Sequence, residues 1–216
     1  MQFRHASLQP DGDGPFPTLI ALHGHGAHAL DLIGLSQFLP DNLLWLCPQA
    51  QHTLDEVLGG FTWFHFGRDD PRRDEEIGGV IEGLRGFLDA VADRYPIDPD
   101  RTALLGFSQG GMLGYRLALD EPKRFAGFAA LSTTLSAESV AMVEPSEDLK
   151  QLPVLVQHGA QDPMIAVDRA RESRDRLQEL GVDLEYREYS MGHQVGQESA
   201  NDLRAWLGGV LKLETS

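Results

Sequence analysis

The chain contains 216 residues, of which 42% are hydrophobic, and this content supports one sizeable buried core, so we predict a single domain over residues 1–216. The formal charge of −15 disfavours binding to nucleic acid or to an anionic membrane surface, and no apolar run approaches the length that spans a bilayer. Cys47 is the only cysteine, which excludes an internal disulfide, and the polar start lacks a signal-peptide-like segment. We therefore expect a cytoplasmic protein that neither binds nucleic acid nor inserts into a membrane.

Short apolar runs alternate with amphipathic stretches along the whole chain. The apolar runs predict strands at residues 18–22, 43–47, 102–105, 125–131 and 154–157. A last strand is predicted at 184–189, and a weaker edge strand at 2–8. Apolar residues at helical spacing predict helices at residues 30–38, 77–91, 109–119, 166–180 and 203–211. Continuous apolar strands that alternate with helices are typical of an α/β fold, in which a mainly parallel central sheet is covered by helices on both faces.

One long irregular segment, residues 49–74, interrupts this alternation. A loop of this length inside a compact domain is usually either functional or disordered. Its aromatic residues favour a functional loop, because a disordered segment rarely contains so many. These residues are Phe61, Trp63, Phe64 and Phe66. The arginines 68, 72 and 73 alternate with acidic residues, which indicates a solvated loop rather than an anion site.

The sequence Gly106-Phe107-Ser108-Gln109-Gly110 lies between a predicted strand and a predicted helix. Gly-x-Ser-x-Gly in this context is the nucleophile-elbow pattern, in which a tight, strained turn exposes the serine hydroxyl at the end of the sheet. The positive end of the following helix stabilises a developing anion there. The alternative is that Ser108 simply caps a helix after a glycine-rich loop. Its position directly after a strand favours the nucleophile.

Asp162 and His193 each follow a different predicted strand, so the chain order is Ser108, Asp162, His193, which is the order of the α/β-hydrolase triad. A serine hydroxyl needs a base to remove its proton, and imidazole titrates in the useful range. A carboxylate then fixes the tautomer of that imidazole and stabilises its protonated form. Asp162 is preferred to Asp168, which falls on a helix surface, and His193 is preferred to His158, which fits a packed strand end.

Acyl transfer also requires hydrogen-bond donors for the anionic oxygen of the tetrahedral intermediate. In this type of fold the donors are the backbone N–H after the nucleophile and one N–H from the first strand–helix loop. We predict the backbone N–H groups of Gln109 and His25 for this oxyanion hole, since His25 lies in the loop His23-Gly24-His25-Gly26. Outside these motifs, His5, His52 and His65 have no comparable setting and are interpreted as polar loop residues.

Taken together, these motifs resemble the phospholipase/carboxylesterase family of α/β hydrolases, which includes acyl-protein thioesterases and many small bacterial esterases. The most specific part of the resemblance is residues 105–111, and the supporting parts are residues 22–26, 63–64, 158–162 and 192–193. The resemblance implies an α/β-hydrolase fold without a large cap domain, a serine esterase or thioesterase activity, and no cofactor or metal. Family analogues include dimers, so a homodimer is a further expectation. Ala27 and Ala166 depart from the family pattern in loops that border the substrate.

The expected activity is hydrolysis of short- to medium-chain carboxylic esters through an acyl-enzyme, with an acyl thioesterase or a lysophospholipase as the alternative. Four residues are predicted to contact the acyl group, because rings and thioethers adapt to aliphatic chains. They are Trp63, Phe64, Met164 and Met191. Ordinary core packing is the competing interpretation of these residues.

The sequence alone leaves two further hypotheses about the function of the protein. His23, His25 and His28 resemble the zinc ligands of a metallohydrolase, although Ala27 stands where that pattern expects an aspartate. The second hypothesis is that the chain is a non-catalytic α/β-hydrolase domain that serves for binding.

Overall fold

The structure is a computed structural model that describes residues 3–55, 57–65 and 73–213. In these ranges seven strands form one sheet in the order β1-β3-β2-β6-β7-β8-β9, and two short strands form the separate pair β4-β5. The strands are β1 His5–Leu8, β2 Phe16–Leu22, β3 Leu44–Pro48, β4 His52–Thr53, β5 Phe61–Thr62, β6 Ile97–Phe107, β7 Gly127–Leu131, β8 Pro153–Gly159 and β9 Asp183–Tyr189. All neighbours in the large sheet are parallel except β1 and β3.

A helix occurs at each place where the sequence predicts one. The α-helices of the described residues are α1 Ala29–Ile33, α2 Arg73–Ala92, α3 Gln109–Asp120, α4 Ala137–Ala141, α5 Glu147–Lys150, α6 Val167–Leu180 and α7 Gln197–Val210. Of these, α4 and α5 are two short additional helices between β7 and β8. The helix predicted at residues 30–38 is divided, because α1 ends at Ile33 and a 3₁₀ segment, Gly34–Phe38, continues from it. None of the helices in the described ranges combines the length and the apolar character needed to cross a bilayer.

The central strands are buried on both faces, which explains their continuous apolar sequences. In β2, Ile20 and Leu22 belong to one core cluster, whereas Leu19 and Ala21 belong to the other. Side chains of a strand alternate between the two faces of the sheet, so each face needs its own apolar cover. Buried residues of α2, α3 and α6 cover the first face, and buried residues of α1 and α7 cover the second. The predicted fold class is therefore confirmed.

The long irregular segment contains the β4-β5 pair and continues beyond it. Phe61 pairs with Ala27 through the backbone, which joins this segment to the loop after β2. Phe66 and the predicted charged stretch at residues 68–72 lie outside the described residues. The parallel strands β2, β6, β8 and β9 end at the same edge of the sheet, and each is followed by one of the predicted site segments.

Candidate active site

Ser108 occupies the turn between β6 and α3 in a strained conformation. Its φ of 52° and ψ of −118° lie in a region that residues with a side chain rarely adopt. The turn also brings two backbone segments together, because a Cβ at Gly110 would lie 2.1 Å from the carbonyl oxygen of Leu22. Only glycine fits at that position. The Gly-x-Ser-x-Gly pattern is thus a steric requirement of the turn.

The structure brings the predicted triad residues into one chain of hydrogen bonds. The distance from Ser108 Oγ to His193 Nε2 is 3.0 Å, and the distance from His193 Nδ1 to Asp162 Oδ2 is 2.7 Å. The Asp162 side chain is completely buried, whereas 18% of the His193 side chain is exposed. His193 therefore connects a buried carboxylate to a hydroxyl at the carboxyl end of the parallel strands.

The surroundings of Asp162 keep its carboxylate ionised. Burial raises its pKa, but hydrogen bonds from the backbone N–H of Ile165, from His193 and from the backbone N–H of Met164 outweigh this effect, so the pKa lies below its ordinary value. Its Oδ1 accepts the two backbone bonds at 2.9 and 2.8 Å. An ionised carboxylate only accepts hydrogen bonds, so the imidazole proton resides on Nδ1 of His193. The lone pair of Nε2 then faces the hydroxyl of Ser108.

The loops after β8 and β9 are joined to each other by their backbones. The N–H of Ala160 donates to Tyr189 O at 2.8 Å, and the N–H of Gln161 donates to Met191 O at 3.1 Å. A Cβ at Gly159 would lie 2.3 Å from this carbonyl of Met191, so glycine permits the close approach. The loop that carries Asp162 and the loop that carries His193 are therefore positioned as one unit.

The alternative triad candidates lie elsewhere. Asp168 is at the surface of α6 in an ion pair with Arg171. His158 is completely buried behind the carboxylate, with Nε2 at 2.8 Å from Ile165 O and 3.5 Å from Asp162 Oδ2. It packs against the Asp162 loop rather than against Ser108. His5 contacts the hydroxyl of Tyr95 at 2.8 Å.

The loop after β2, which carries the predicted oxyanion donor His25, lies directly beside the elbow. An atom at the Cβ position of Gly24 would be 3.2 Å from Ser108 Cβ. Gln109, the other predicted donor, is the first residue of α3 and is completely buried. The two predicted backbone donors thus belong to segments that meet at Ser108.

The side chain of Gln109 has a supporting contact that sequence reasoning missed. Its Oε1 accepts the backbone N–H of Trp63 at 3.0 Å, and its Nε2 donates to Phe64 O at 2.6 Å. The hydroxyl of Thr62 lies 3.0 Å from the same Oε1 and 3.0 Å from Nδ1 of His25. One buried amide therefore connects the elbow, the 62–64 segment and the loop after β2. The only signal in the sequence is a polar residue next to the nucleophile, which does not reveal its partners.

The four residues predicted to contact the acyl group have different environments. Trp63 and Phe64 are completely buried, and Trp63 Nε1 donates to His23 O at 2.8 Å. Met191 is also buried, whereas 74% of Met164 is exposed. A completely buried side chain offers no surface to a ligand, so this conformation supports core packing for Trp63 and Phe64, whereas Met191 keeps 9% of its surface exposed. Acyl contact by Met164 and Met191 stays a prediction.

His23 is a buried neutral histidine with both ring nitrogens engaged. Nδ1 is 2.8 Å from Gly24 O, and Nε2 accepts the backbone N–H of Ala50 at 3.1 Å. Burial lowers its pKa to about 4, although the bond to Gly24 opposes the shift. His23 cannot ligate zinc without losing these bonds. His28 pairs with Asp31 at 3.4 Å, and within the described residues no metal-ligand group includes the three histidines 23, 25 and 28.

A strained serine after a parallel strand, with histidine and carboxylate supplied by two later strand ends, is the arrangement that defines an α/β hydrolase. A family model described as Phospholipase/Carboxylesterase matches residues 4–210. The chain therefore belongs to the phospholipase/carboxylesterase family. This membership confirms the resemblance found in the sequence and makes the protein a hydrolase.

Individual relatives agree with this assignment. The chain is 34% identical to an acyl-protein thioesterase 1 of Gibberella zeae over 209 residues, which cover 88% of each protein. It is 27% identical to carboxylesterase SOBER1 of Arabidopsis thaliana over 188 residues, which cover 81% of this chain and 80% of the relative.

Solved structures share the fold. Esterase PE8 superposes with a TM-score of 0.85 at 24% identity, covering 98% of this chain and all of the other. A Bacillus cereus carboxylesterase superposes with a TM-score of 0.82 at 18% identity, covering 96% of this chain and 94% of the other. Both likenesses extend over nearly the whole chain and show that it shares their fold.

The geometry at Asp162 predicts a large kinetic effect for Asp162→Asn. The amide presents an N–H to the imidazole and thereby favours the tautomer whose proton faces Ser108, which cannot act as a base. In a serine protease triad the equivalent change lowers kcat about 10⁴-fold. We expect a similar fall in kcat for nitrophenyl butyrate with little change in KM. Asp168→Asn, the matched control, retains normal kinetics, and a loss of less than about tenfold in Asp162→Asn contradicts the assignment.

The environment of His23 predicts an acid-dependent loss of stability. In the unfolded chain its pKa is at the ordinary value of 6.5, and in the folded chain it is about 4, so the unfolded state binds more protons between these values. The contribution of neutral His23 to the free energy of unfolding is fully present above pH 6.5. It decreases as the pH falls toward 4, by on the order of 3 kcal/mol. Urea unfolding at pH 7.5 and 4.5 measures it. His23→Gln should lose less stability over this interval than the unmodified protein, and equal losses would rule out His23 as the source.

Proposed function

We propose that this protein hydrolyses carboxylic esters with short- to medium-chain acyl groups, using Ser108 as nucleophile, His193 as base and Asp162 as the residue that orients the base. The observation that carries the proposal is the continuous chain of hydrogen bonds from Asp162 through His193 to Ser108, with distances of 2.7 and 3.0 Å. Family membership supports the ester bond as the target.

The first half-reaction forms the acyl-enzyme. His193 Nε2 accepts the hydroxyl proton of Ser108 as Oγ attacks the ester carbonyl carbon, and the carbonyl oxygen becomes an oxyanion. The backbone N–H groups of Gln109 and His25 bind that oxyanion. The ester C–O bond then breaks, and the leaving alkoxide takes the proton from Nε2.

The second half-reaction releases the acid. A water molecule gives a proton to His193 Nε2 and attacks the acyl carbon, and a second oxyanion forms at the same donors. When this intermediate collapses, Ser108 Oγ leaves and recovers the proton. Asp162 stays ionised throughout and stabilises the imidazolium that exists in each half-reaction.

Elements around Ser108 support this chemistry electrostatically. Ser108 is the residue before the first turn of α3, a 12-residue helix, so the positive end of the helix dipole points at the developing anion. Removal of one oxyanion donor typically lowers the rate by about 10² to 10³. The steric fit at Gly110 and the hydrogen bonds of the Gln109 side chain hold the two donor segments together.

The substrate is proposed to approach from the exposed edge that Met164 occupies. Met164 directly follows the Asp162 loop and exposes 74% of its surface, which is enough for contact with an acyl chain. An open cavity of about 710 Å³ lies at the other end of the sheet, where Pro153 and Asp183 begin β8 and β9. That cavity contains no triad residue, so we do not assign the substrate to it.

An acyl thioesterase is the second candidate, because curated relatives that cover most of the chain are named acyl-protein thioesterases. The same triad cleaves both bonds, and a lysophospholipase would also use it. Matched oxygen and sulfur esters with the same acyl group separate the candidates. A kcat/KM that is about 100-fold higher for the thioester would favour the second candidate.

Cytoplasmic location and a homodimer are further proposals. Cys47 is the only cysteine and is buried, so an internal disulfide cannot form, which is typical of a protein of a reducing compartment. The homodimer rests on the family resemblance, and analytical ultracentrifugation would test it.

The nucleophile assignment predicts that Ser108→Ala lowers kcat/KM for nitrophenyl acetate and butyrate by about 10⁴-fold or more. A fluorophosphonate should label the unmodified protein once per chain and should not label the variant. Ser36→Ala, in the 3₁₀ segment, is the matched serine control and should retain both ester turnover and fluorophosphonate labelling.

Turnover that persists in Ser108→Ala would refute the assignment of Ser108 as the nucleophile. A non-catalytic binding domain would show neither turnover nor labelling, and a metallohydrolase would lose turnover to a chelator but not to the fluorophosphonate.

A further inference from the structure

Two histidines that the sequence left as loop residues meet one glutamate outside the triad. His52 lies in β4, His65 follows the 62–64 segment, and Glu76 lies near the start of α2. His65 Nδ1 is 2.9 Å from Glu76 Oε1, and His52 Nε2 is 3.5 Å from the same oxygen. One ligand atom from each residue lies within 4.8 Å of the others. We call these three residues the His–His–Glu cluster.

The donor types and spacings of the cluster fit a zinc ion. Zinc is bound by imidazole nitrogen and carboxylate oxygen at about 2.0–2.2 Å, usually in a tetrahedron. Neighbouring ligand atoms of such a tetrahedron are about 3.3 Å apart. The two observed separations to Glu76 Oε1, 2.9 and 3.5 Å, bracket this value. The ligand atoms of His52 and His65 lie within 4.8 Å of each other, so the two imidazoles approach by up to about 1.5 Å to enclose the ion.

Backbone contacts already orient two of the three ligands. The N–H of His65 is 3.3 Å from Glu76 Oε2, so the other oxygen of this carboxylate points toward the imidazoles. His52 pairs with Thr62 in the β4-β5 ladder, and the hydroxyl of Thr62 is in turn bound to Gln109. A site organised in this way loses less conformational entropy when it binds an ion than a site on free side chains would.

An exposed imidazole–carboxylate ion pair is the simpler explanation, and such a pair contributes only about 0–1 kcal/mol. A single pair requires one histidine, as His28 and Asp31 illustrate elsewhere in the chain at 3.4 Å. In the His–His–Glu cluster two imidazoles converge on one carboxylate oxygen, with ring centroids 4.9 Å apart. Convergence of two imidazoles and one carboxylate is the composition of a metal-ligand set, which a simple ion pair does not need.

We propose that the cluster binds one Zn²⁺ through His52 Nε2, His65 Nδ1 and Glu76 Oε1. The side chains of His52 and His65 are 40% and 65% exposed, so water has access to the fourth position. Each ligating nitrogen must present its lone pair, so the proton of each neutral imidazole lies on its other ring nitrogen when zinc is bound. The bound ion would fasten the 52–65 segment to α2. It takes no part in the chemistry at Ser108.

Calorimetric titration of the metal-stripped full chain with zinc chloride tests the proposal. We expect saturable binding of one ion per chain. Loss of an outer-shell partner already weakens metal binding by about 10- to 100-fold, so His52→Ala, His65→Ala and Glu76→Gln should each weaken it by at least about tenfold. His28→Ala, which removes an exposed histidine from a matched ion pair, should leave the affinity unchanged.

Two further readouts keep the test decisive. Cobalt(II) in place of zinc should give the strong visible absorption of a four-coordinate site in the unmodified protein, and the three variants should lack it. Thermal unfolding without metal should stay a single cooperative transition in all variants, with midpoints within about 4 °C of the unmodified protein, which establishes that they fold. The proposal is overturned if the unmodified protein shows no saturable binding, or if the His52 and His65 variants bind as tightly as it does.

The proposed zinc site and the proposed triad can be tested independently of each other. Ser108→Ala should bind zinc as tightly as the unmodified protein, because none of the three ligands belongs to the triad. Conversely, fluorophosphonate labelling of Ser108 should persist after the metal is removed. Loss of zinc binding in Ser108→Ala would contradict an independent site.

Discussion

The hydrogen bond between His193 Nδ1 and Asp162 Oδ2, at 2.7 Å, is the interaction on which the rest of the site depends. It joins two loops that follow different strands, and it determines which nitrogen of the imidazole faces Ser108. The carboxylate is buried, and a buried charge is tolerated only where hydrogen bonds satisfy it. The N–H groups of Met164 and Ile165 provide these bonds on its second oxygen. Orientation of the His193 imidazole, the proposed base, and tolerance of the buried charge thus have the same structural origin.

The sheet supplies the geometry that this bond requires. Parallel strands end at one edge, so residues distant in sequence become neighbours there, and the β8 and β9 loops are joined further by their backbones. On the other side of Ser108, the buried amide of Gln109 connects the elbow to the 62–64 segment. His23, in the loop after β2, accepts the backbone N–H of Ala50 and thereby holds that loop in place. Buried polar groups with satisfied hydrogen bonds make both sides of the site rigid. A rigid surrounding suits a mechanism that depends on preorganised donors.

Local sequence patterns could predict the fold and the proximity of Ser108, His193 and Asp162, because both depend on features that are visible within a few residues. Apolar runs predict most of the strands, and the glycines of the elbow indicate a turn that only glycine permits. Each triad candidate lies within four residues of the end of a strand. Other features depend on contacts between distant segments. The partners of the Gln109 side chain and the meeting of His52 with His65 and Glu76 are of this kind. The aromatic content of the long segment predicted a functional loop, but it could not distinguish a ring that faces a ligand from one that faces the core, and Trp63 and Phe64 face the core.

The central claim is that Ser108, His193 and two backbone N–H groups form one acyl-transfer site. A crystal structure of the protein after reaction with a fluorophosphonate tests this claim most directly, because the phosphoryl oxygen of the adduct represents the oxyanion. We expect phosphorus bonded to Ser108 Oγ and the phosphoryl oxygen about 2.7–3.1 Å from the backbone nitrogens of Gln109 and His25. We also expect His193 Nε2 within hydrogen-bond distance of Oγ. Phosphorus on another residue, or a phosphoryl oxygen directed away from both nitrogens, would contradict it.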